Sequence, residues 1–362
     1  MMVPMRLLLL AAALMCAGLP SAHAETDHGA IARAALDNVI RPGYAALTEN
    51  TAALKDKADV LCAKPSATAL KDTKDAFAAT VESWSEVEIF RFGPINQDHR
   101  YERLFYWPDP KGIGLHQVKA ALAKKDETVT LADTLVGKSV ALQGLPALEY
   151  LLYGDGAETL TSGDPEVGFR CSFASSVATN IDRIARAVAE EWRDGAEYSK
   201  LFLSPGPEDP LYRAPKDVTL ELYKAFTSGI ELVRDQKLGK PLGTSAETAR
   251  PHLAAFWRSG LTFPNMTGNL DGVLALFAEG GFAGVVAEES PGVEKSILFD
   301  LDRVIKALGA VDQPISEAVR DSAQRNKLEA LRVALKSARD TAAAMIARGA
   351  GLSFGFNALD GD

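Results

Sequence analysis

The sequence predicts an all-α fold made of two helical-bundle lobes. Apolar residues recur at three- and four-residue spacing along most of the chain, which is the period of an amphipathic helix. No segment shows a convincing alternation of apolar and polar residues, as a half-buried strand would. The segment 204–217, "SPGPEDPLYRAPKD", contains four prolines and is the predicted lobe boundary. The similar size of the lobes suggests duplication, although no residue-level repeat supports it.

Residues 1–24 have the pattern of a secretory signal peptide. Arg6 precedes an apolar run, and the small residues of a cleavage site end at Ala24. We therefore expect cleavage after Ala24 and export to the periplasm. The alternative is a lipoprotein anchored at Cys16, but Met15 stands where a small residue is required. No later stretch approaches about 20 uninterrupted apolar residues, so we expect no transmembrane segment in the mature chain.

The predicted N-terminal lobe covers residues 25–205 and begins with two helical patterns, "AIARAALDNVI" and "GYAALTENTAALKDKADVLC". Between them, Arg41-Pro42-Gly43 is expected to kink or break the helix, because proline has no amide hydrogen. The next helix, "ATALKDTKDAFAATVESWSEVEIF", has a start signal at Pro65-Ser66 and is expected to stop at Gly93-Pro94. "CSFASSVATNIDRIARAVAEEW" would complete an antiparallel bundle.

The predicted C-terminal lobe covers residues 215–362. Its helical patterns are "VTLELYKAFTSGIELVRDQKL", "NLDGVLALFAEGGF", "VEKSILFDLDRVIKALGAV" and "NKLEALRVALKSARDTAAAMIARG". The chain ends in "GLSFGFNALDGD", whose phenylalanines suggest packing, while a frayed acidic tail is the alternative.

Two cysteines remain once the leader is removed, Cys62 and Cys171. In an oxidising compartment an isolated pair is more often a disulfide than a metal site. We therefore predict a bond between them, with two free buried thiols as the alternative.

Composition and missing motifs narrow the function. The formal net charge is −9 with Lys and Arg scattered, which makes nucleic acid and anionic membranes poor partners and fits cationic or metal-like ligands better. The chain has no HExxH, GxSxG, P-loop or CxxC motif. Its mature histidines show no familiar paired spacing, so an ordinary zinc hydrolase is disfavoured.

Glu149 is the central candidate for a functional residue. It lies in "GLPALEYLLYG", beside an apolar stripe at helical spacing. A carboxylate so close to an apolar face needs a cation, a hydrogen-bond donor or a metal as partner. We expect it to be buried at the lobe interface beside Arg103 or Arg258. The alternative is a glutamate near a helix start that complements the macrodipole.

Other candidates surround this residue in the prediction. Glu86 and His99 join Glu149 as candidate metal ligands, since facing helices assemble carboxylate sites, although solvated surface charge is the alternative for Glu86. Arg103 and Asp109 flank Trp107 in "RLFYWPD" and would anchor a carboxylate-bearing ligand or lock the loop. In "FWRSG", Arg258 follows two aromatic residues.

In combination, "FRFGP", "RLFYWPD", "GKSVALQGLPALEYLLYG", "FWRSG" and the terminal "GFNALDGD" resemble the imelysin family, in particular its imelysin-like periplasmic protein and predicted lipoprotein branch. The resemblance implies a two-lobed helical fold with a site between the lobes and a link to iron-regulated uptake. Founding members were described as metal-dependent peptidases. The family motif Gly-x-His-x-x-Glu falls on residues 144–149, where Pro146 replaces the histidine.

Three functions remain as hypotheses. The first is a periplasmic binding or accessory protein for iron or other metal acquisition, whose cleft is lined by Glu149, Arg103, Asp109 and Arg258. Its cofactor would be a divalent metal or iron and its partners envelope iron-uptake components. The second is a metal-dependent peptidase, which the loss of the motif histidine disfavours. The third is a structural or partner-docking envelope protein.

Overall fold

The computed structural model describes residues 26–162 and 165–352, with backbone alone for residues 165–167. The predicted signal peptide and the terminal "GFNALDGD" lie outside the described residues.

All regular structure in the described ranges is helical, which confirms the predicted fold class. The α-helices before the predicted boundary are α1 His28–Ala35, α2 Arg41–Ala63, α3 Ala67–Val87, α4 Arg100–Leu104, α5 Ile113–Lys124, α6 Ala132–Leu135, α7 Leu145–Tyr153, α8 Pro165–Trp192 and α9 Glu197–Leu203. After it come α10 Pro215–Glu231, α11 Lys240–Leu242, α12 Thr262–Ala278, α13 Phe282–Glu289, α14 Val293–Gly309, α15 Ile315–Ala318 and α16 Ser322–Gly349. Short 3₁₀ helices cover Gly93–His99, Glu127–Val129, Val140–Leu142, Ala157–Thr161 and Pro251–Leu253, and π-helical turns cover Leu36–Ile40 and Leu232–Gly239.

The Arg41-Pro42-Gly43 segment does not break the helix, because a π turn precedes it. The chain stays helical from α1 through Leu36–Ile40 into α2, and Pro42 lies in the first turn of α2. There the Arg41 amide donates to the carbonyl of Leu36, five residues back. The wider turn accommodates a residue that has no amide hydrogen, so the helix changes its winding at this point.

Helix α3 begins as predicted and ends early. Its N-cap is Ser66, whose hydroxyl accepts a hydrogen bond from the Ala69 amide at 3.1 Å. The last helical residue is Val87, well before the predicted stop at Gly93. Next to it, Glu88 turns its carboxylate into the core, where it bonds to the ammonium of Lys237.

Close helix contacts cross the predicted boundary. Helix α2 packs against α3 and α8, while α3 also packs against α12 and α1 against α10. At Gly272 of α12 a Cβ atom would lie 2.1 Å from the Glu86 carbonyl oxygen, so glycine is required for this approach. The segment 204–214 lies outside the helices, but the division into two lobes stays a prediction.

A buried polar cluster joins these helices. Lys237 lies on the second π turn and donates to Glu88 Oε2 at 2.5 Å and to Asn265 Oδ1 at 2.7 Å. The Asn269 amide donates to the same carboxylate at 3.0 Å, and the Tyr101 hydroxyl to its other oxygen at 3.2 Å. Burial lowers the pKa of Lys237 to about 8, against the opposing effect of the Glu88 carboxylate.

Within the described ranges, no single helix has the length and apolar composition of a membrane span. The consecutive helices α12 and α13, bent by 55° relative to each other, have that length and composition only when they are taken together.

The predicted disulfide is present. Cys62 at the end of α2 is bonded to Cys171 in α8, with their Cα atoms 5.4 Å apart and a separation of 109 positions in sequence. The bond ties two neighbouring helices of the bundle and closes most of the first half of the chain into one loop.

Replacing both cysteines by alanine is expected to lower the free energy of unfolding by about 4–5 kcal/mol, because a loop of 109 residues is no longer closed in the unfolded chain. Urea unfolding of the mature protein measures this loss, and reduced wild type serves as the control. Two reactive thiols in the folded, unreduced wild type would contradict the assignment.

Candidate functional site

A cavity of about 300 Å³ lies where residues 105–150 meet residues 252–258. Aromatic side chains form part of its wall: Phe105, Tyr106, Trp107, Tyr150, Phe256 and Trp257. The polar groups that line it are few, which is the usual make-up of a site for a small molecule.

Helix α7 supplies one wall of the cavity and is held close to the preceding chain. At Gly144, the residue before α7, a Cβ atom would lie 2.3 Å from the Leu104 carbonyl oxygen, so only glycine fits. Pro146 lies in the first turn of α7, where the missing amide hydrogen costs nothing. Together with Ala147 it presents an apolar surface to the cavity.

Glu149 lies on the same wall and is buried, with 3% of its surface exposed. Its Oε1 accepts three hydrogen bonds, from the Arg258 amide at 3.0 Å, the Ser259 amide at 2.9 Å and the Ser259 hydroxyl at 2.8 Å. Within the described residues, all of its hydrogen bonds end on Oε1. The second oxygen, Oε2, is therefore the one left for a ligand.

The turn at residues 256–260 directs these donors towards the Glu149 carboxylate. Phe256 has φ +55° and Gly260 has φ +77°, so the backbone is left-handed on both sides of Arg258 and Ser259. Successive amides exposed by such a turn form an anion-binding concavity. A carboxylate from α7 occupies it here.

Two effects act on the Glu149 carboxyl. Burial raises its pKa above the usual value, and the Ser259 donors and the nearby Arg258 oppose this. Burial dominates, so the site favours the protonated form more than water does.

Arg258 contacts Glu149, as expected, but through its backbone amide and not through its guanidinium. Arg258 contributes its backbone amide, while its guanidinium carbon lies 4.2 Å from the centre of the Trp257 ring and 5.5 Å from that of Tyr150. In the described part of the chain this guanidinium forms no ion pair or hydrogen bond. Its donors remain available at the cavity.

Ring stacking fixes the aromatic wall. The rings of Phe105 and Phe256 stack with centres 5.3 Å apart, and those of His252 and Trp257 with centres 4.1 Å apart. The Trp107 indole donates to the Leu253 carbonyl at 3.1 Å. The wall is thus organised before any ligand binds.

Asp109 lines the cavity but serves as a helix cap. Its Oδ1 accepts from the Ile113 amide and its Oδ2 from the Gly114 amide, both at 2.8 Å. Since both oxygens are engaged at the start of α5, the structure favours the loop-locking alternative for this residue.

Arg103 does not line the cavity. Its Nε donates to Gln143 Oε1 at 2.9 Å and its Nη2 to Asn180 Oδ1 at 3.2 Å. The residue therefore ties α4 to α8 and to the residue before Gly144, and the expectation that it approaches Glu149 is not met.

The three candidate metal ligands lie apart. Glu149 is on the cavity wall, Glu86 lines a surface groove with Asp271, and His99 is exposed just before α4. Across residues 26–162 and 165–352, no group of three or more His, Cys, Asp or Glu side chains is placed to hold a metal ion.

Sequence reasoning missed Ser259, Tyr150 and His252. Ser259 stands inside the quoted "FWRSG", but the direction of its amide depends on the left-handed Phe256, for which the sequence has no signal. Tyr150 follows Glu149 directly in sequence. The cations near its ring, Lys119, Arg170 and Arg258, come from other segments, so the sequence does not indicate these contacts.

Replacing Glu149 by alanine is expected to destabilise the fold by about 3 kcal/mol, because three donors lose a buried acceptor. Glu149→Gln keeps an acceptor oxygen and should change stability little near pH 4. Because the folded pKa is raised, wild type loses stability relative to the Gln variant as pH rises from about 4.3 to the folded pKa.

Unfolding measurements at several pH values test this expectation. Glu158→Gln, at an exposed glutamate, is the matched control and should show no such divergence. A wild type and a Glu149→Gln variant whose stabilities stay parallel from pH 4 to 8 would show that burial does not disfavour the ionised carboxylate.

Comparison with known proteins identifies the family of the chain. The peptidase-family model described as Imelysin matches residues 40–342. The iron-regulated protein A of Synechococcus elongatus is 22% identical over 292 residues, which cover 77% of this chain and 75% of that protein.

Two solved structures have the same fold. An imelysin-like protein from Psychrobacter arcticum has a TM-score of 0.74 at 16% identity, covering 91% of this chain and 97% of its own. A structure described as an iron-regulated protein A precursor from Parabacteroides distasonis has a TM-score of 0.75 at 15% identity, covering 90% and 97%. Because the family match spans most of the sequence, the chain belongs to the imelysin family.

Proposed function

We propose that this protein is an exported binding protein that serves iron acquisition and holds a small aromatic carboxylate in the cavity. The iron association is supported by the likeness to proteins named iron-regulated protein A. Export is supported by the leader pattern of residues 1–24. Envelope iron-uptake components are the partners that this role implies.

Arg258 carries the proposal. Its guanidinium lies near the faces of the Trp257 and Tyr150 rings, a contact that planar guanidinium groups commonly make. It forms no ion pair with an acidic side chain in the described residues. Glu149 does not neutralise it by contact, since that carboxylate bonds to backbone amides and Ser259 instead. A carboxylate ligand would supply the missing acceptor through charge-assisted hydrogen bonds.

The rest of the cavity suits a ring. Its volume of about 300 Å³ is at the small end of ligand pockets. Trp107 and Phe256 offer flat apolar surface to a planar molecule.

Iron enters this proposal as part of the ligand. Of the described residues that line the cavity, Asp109 and Glu149 are the acidic ones, and Asp109 has both oxygens engaged as a cap. One carboxyl group cannot hold a metal as a catalytic site does, with at least three protein ligands. A ligand that itself chelates iron removes that requirement.

Glu149 gives the binding a pH dependence. A ligand carboxylate near Oε2 would repel an ionised Glu149 and accept a hydrogen bond from a protonated one. Since burial already raises the pKa of Glu149, affinity should increase as pH falls through that raised pKa.

Salicylate and 2,3-dihydroxybenzoate, each with and without ferric iron, are expected to change the intrinsic fluorescence of the cavity tryptophans, Trp107 and Trp257, in a saturable way. Benzamide, which has no charge, should not. Arg258→Gln should weaken binding at least about tenfold, because it removes charge-assisted hydrogen bonds.

The matched control is Arg303→Gln, because the Arg303 guanidinium also lies over a ring, that of the exposed Phe299, at 6.0 Å. Equal loss of affinity in both variants would indicate a non-specific charge effect and contradict the proposal. Chelator-sensitive cleavage of casein that disappears in Glu149→Ala would instead favour the metal-dependent peptidase.

A further inference from the structure

A second pocket, of about 470 Å³, shares Tyr150 with the cavity but has a different wall. We name it the Tyr150 pocket and define it by Lys119 of α5, Tyr150 of α7, Asp155, Gly156 and Arg170 of α8. It opens to solvent at Lys119 and Asp155, whose side chains are 49% and 89% exposed.

Arg170 forms the buried end of the Tyr150 pocket. It is 8% exposed, and its guanidinium donates to the Asp155 carbonyl at 2.6 Å and, more weakly, to the Leu151 carbonyl at 3.4 Å. Tyr150, then Glu158 and Asp155, act on it electrostatically, yet no ion pair to Arg170 forms in the described part of the chain. A buried charge is ordinarily paired with an opposite charge, and here the guanidinium is held by backbone carbonyls and lies beside the Tyr150 side chain without an ion pair.

Positive charge is concentrated around one ring. The Lys119 ammonium lies 5.5 Å from the centre of the Tyr150 ring, the Arg170 guanidinium carbon 5.7 Å, and the Arg258 guanidinium carbon 5.5 Å. The whole chain carries a net charge of −9, so three cations about one tyrosine stand out against the acidic surroundings. Asp155 also lines the pocket, but the cations outnumber it, and an excess of one sign of charge attracts the opposite sign.

We propose that the Tyr150 pocket binds a phosphate-type tetrahedral oxyanion between Arg170 and Lys119, independently of the ligand in the cavity. The donors come from different elements, α5 and α8, with the Tyr150 hydroxyl of α7 beside them. Two N–H groups of the Arg170 guanidinium already donate to backbone carbonyls. This disfavours a bidentate hydrogen-bonded pair with a planar carboxylate. Four oxygens that point apart suit such divergent donors.

Asp155 acts as the competitor of the anion. Its Oδ2 accepts from Lys119 Nζ at 3.2 Å, so it engages the ammonium that an anion would contact. Because its side chain is almost fully exposed, it is free to turn towards solvent when an oxyanion takes its place. The proposal therefore predicts opposite effects from neutralising Lys119 and Asp155.

The test is calorimetric titration of the mature protein with inorganic phosphate at low, matched ionic strength. Lys119→Gln should weaken binding about threefold and Asp155→Asn strengthen it about threefold, as exposed charges do. Arg170→Lys, which keeps the charge but loses the fork, should weaken it about tenfold. The melting temperature of each variant shows whether it is folded. If the Arg170→Lys variant does not fold, the substitutions at the exposed residues Lys119 and Asp155 still decide the test.

Lys74→Gln is the matched control, because the Lys74 ammonium also lies over a tyrosine, Tyr153, at 4.5 Å, but outside the pocket. A second arm measures sedimentation with phosphatidylglycerol vesicles, and binding there that follows the same variants would identify a lipid headgroup as the source of the phosphate. Absence of saturable phosphate binding in both arms, or binding that Lys119→Gln and Lys74→Gln change equally, would overturn the proposal.

Discussion

The cavity depends on a single contact, in which Glu149 of α7 accepts three hydrogen bonds from the turn at residues 256–260. This contact joins segments that are about a hundred residues apart in sequence. It also determines which groups face the cavity. Because backbone amides and a hydroxyl satisfy Oε1, the guanidinium of Arg258 is released to lie over Trp257 and Tyr150.

The buried pair of Glu88 and Lys237 supports the same wall from behind. The Lys237 ammonium lies 5.4 Å from the centre of the Phe105 ring and 5.7 Å from that of Trp107, and both rings line the cavity. The aromatic wall thus has a compensated ion pair behind it and Arg258 beside it. Under the proposed function, Arg258 makes an anionic ligand the better fit, although the acidity of the whole chain pointed to cations.

Periodicity and capping signals predicted the helices, and the leader with its two remaining cysteines predicted the disulfide. The same reasoning predicted that Glu149 would be buried. It did not fix side-chain direction: Arg103 bonds to Gln143 and does not approach Glu149, while Asp109 bonds to the first amides of α5, as its loop-locking alternative expected. A helical pattern shows which residues share a face, but not which helices meet. Nor does it reveal a left-handed residue such as Phe256, which turns two amides towards a carboxylate.

A double-mutant cycle for Glu149→Gln and Arg258→Gln, measured by urea unfolding at neutral pH, tests the central claim most directly. The Glu149 carboxylate accepts its hydrogen bonds from two backbone amides and the Ser259 hydroxyl, and none from the Arg258 guanidinium. The two substitutions should then couple only through the attraction between the two charges, with a coupling energy below about 1 kcal/mol. A coupling energy above about 1.5 kcal/mol would mean that the two side chains are direct partners, and that Arg258 is not available to bind a ligand.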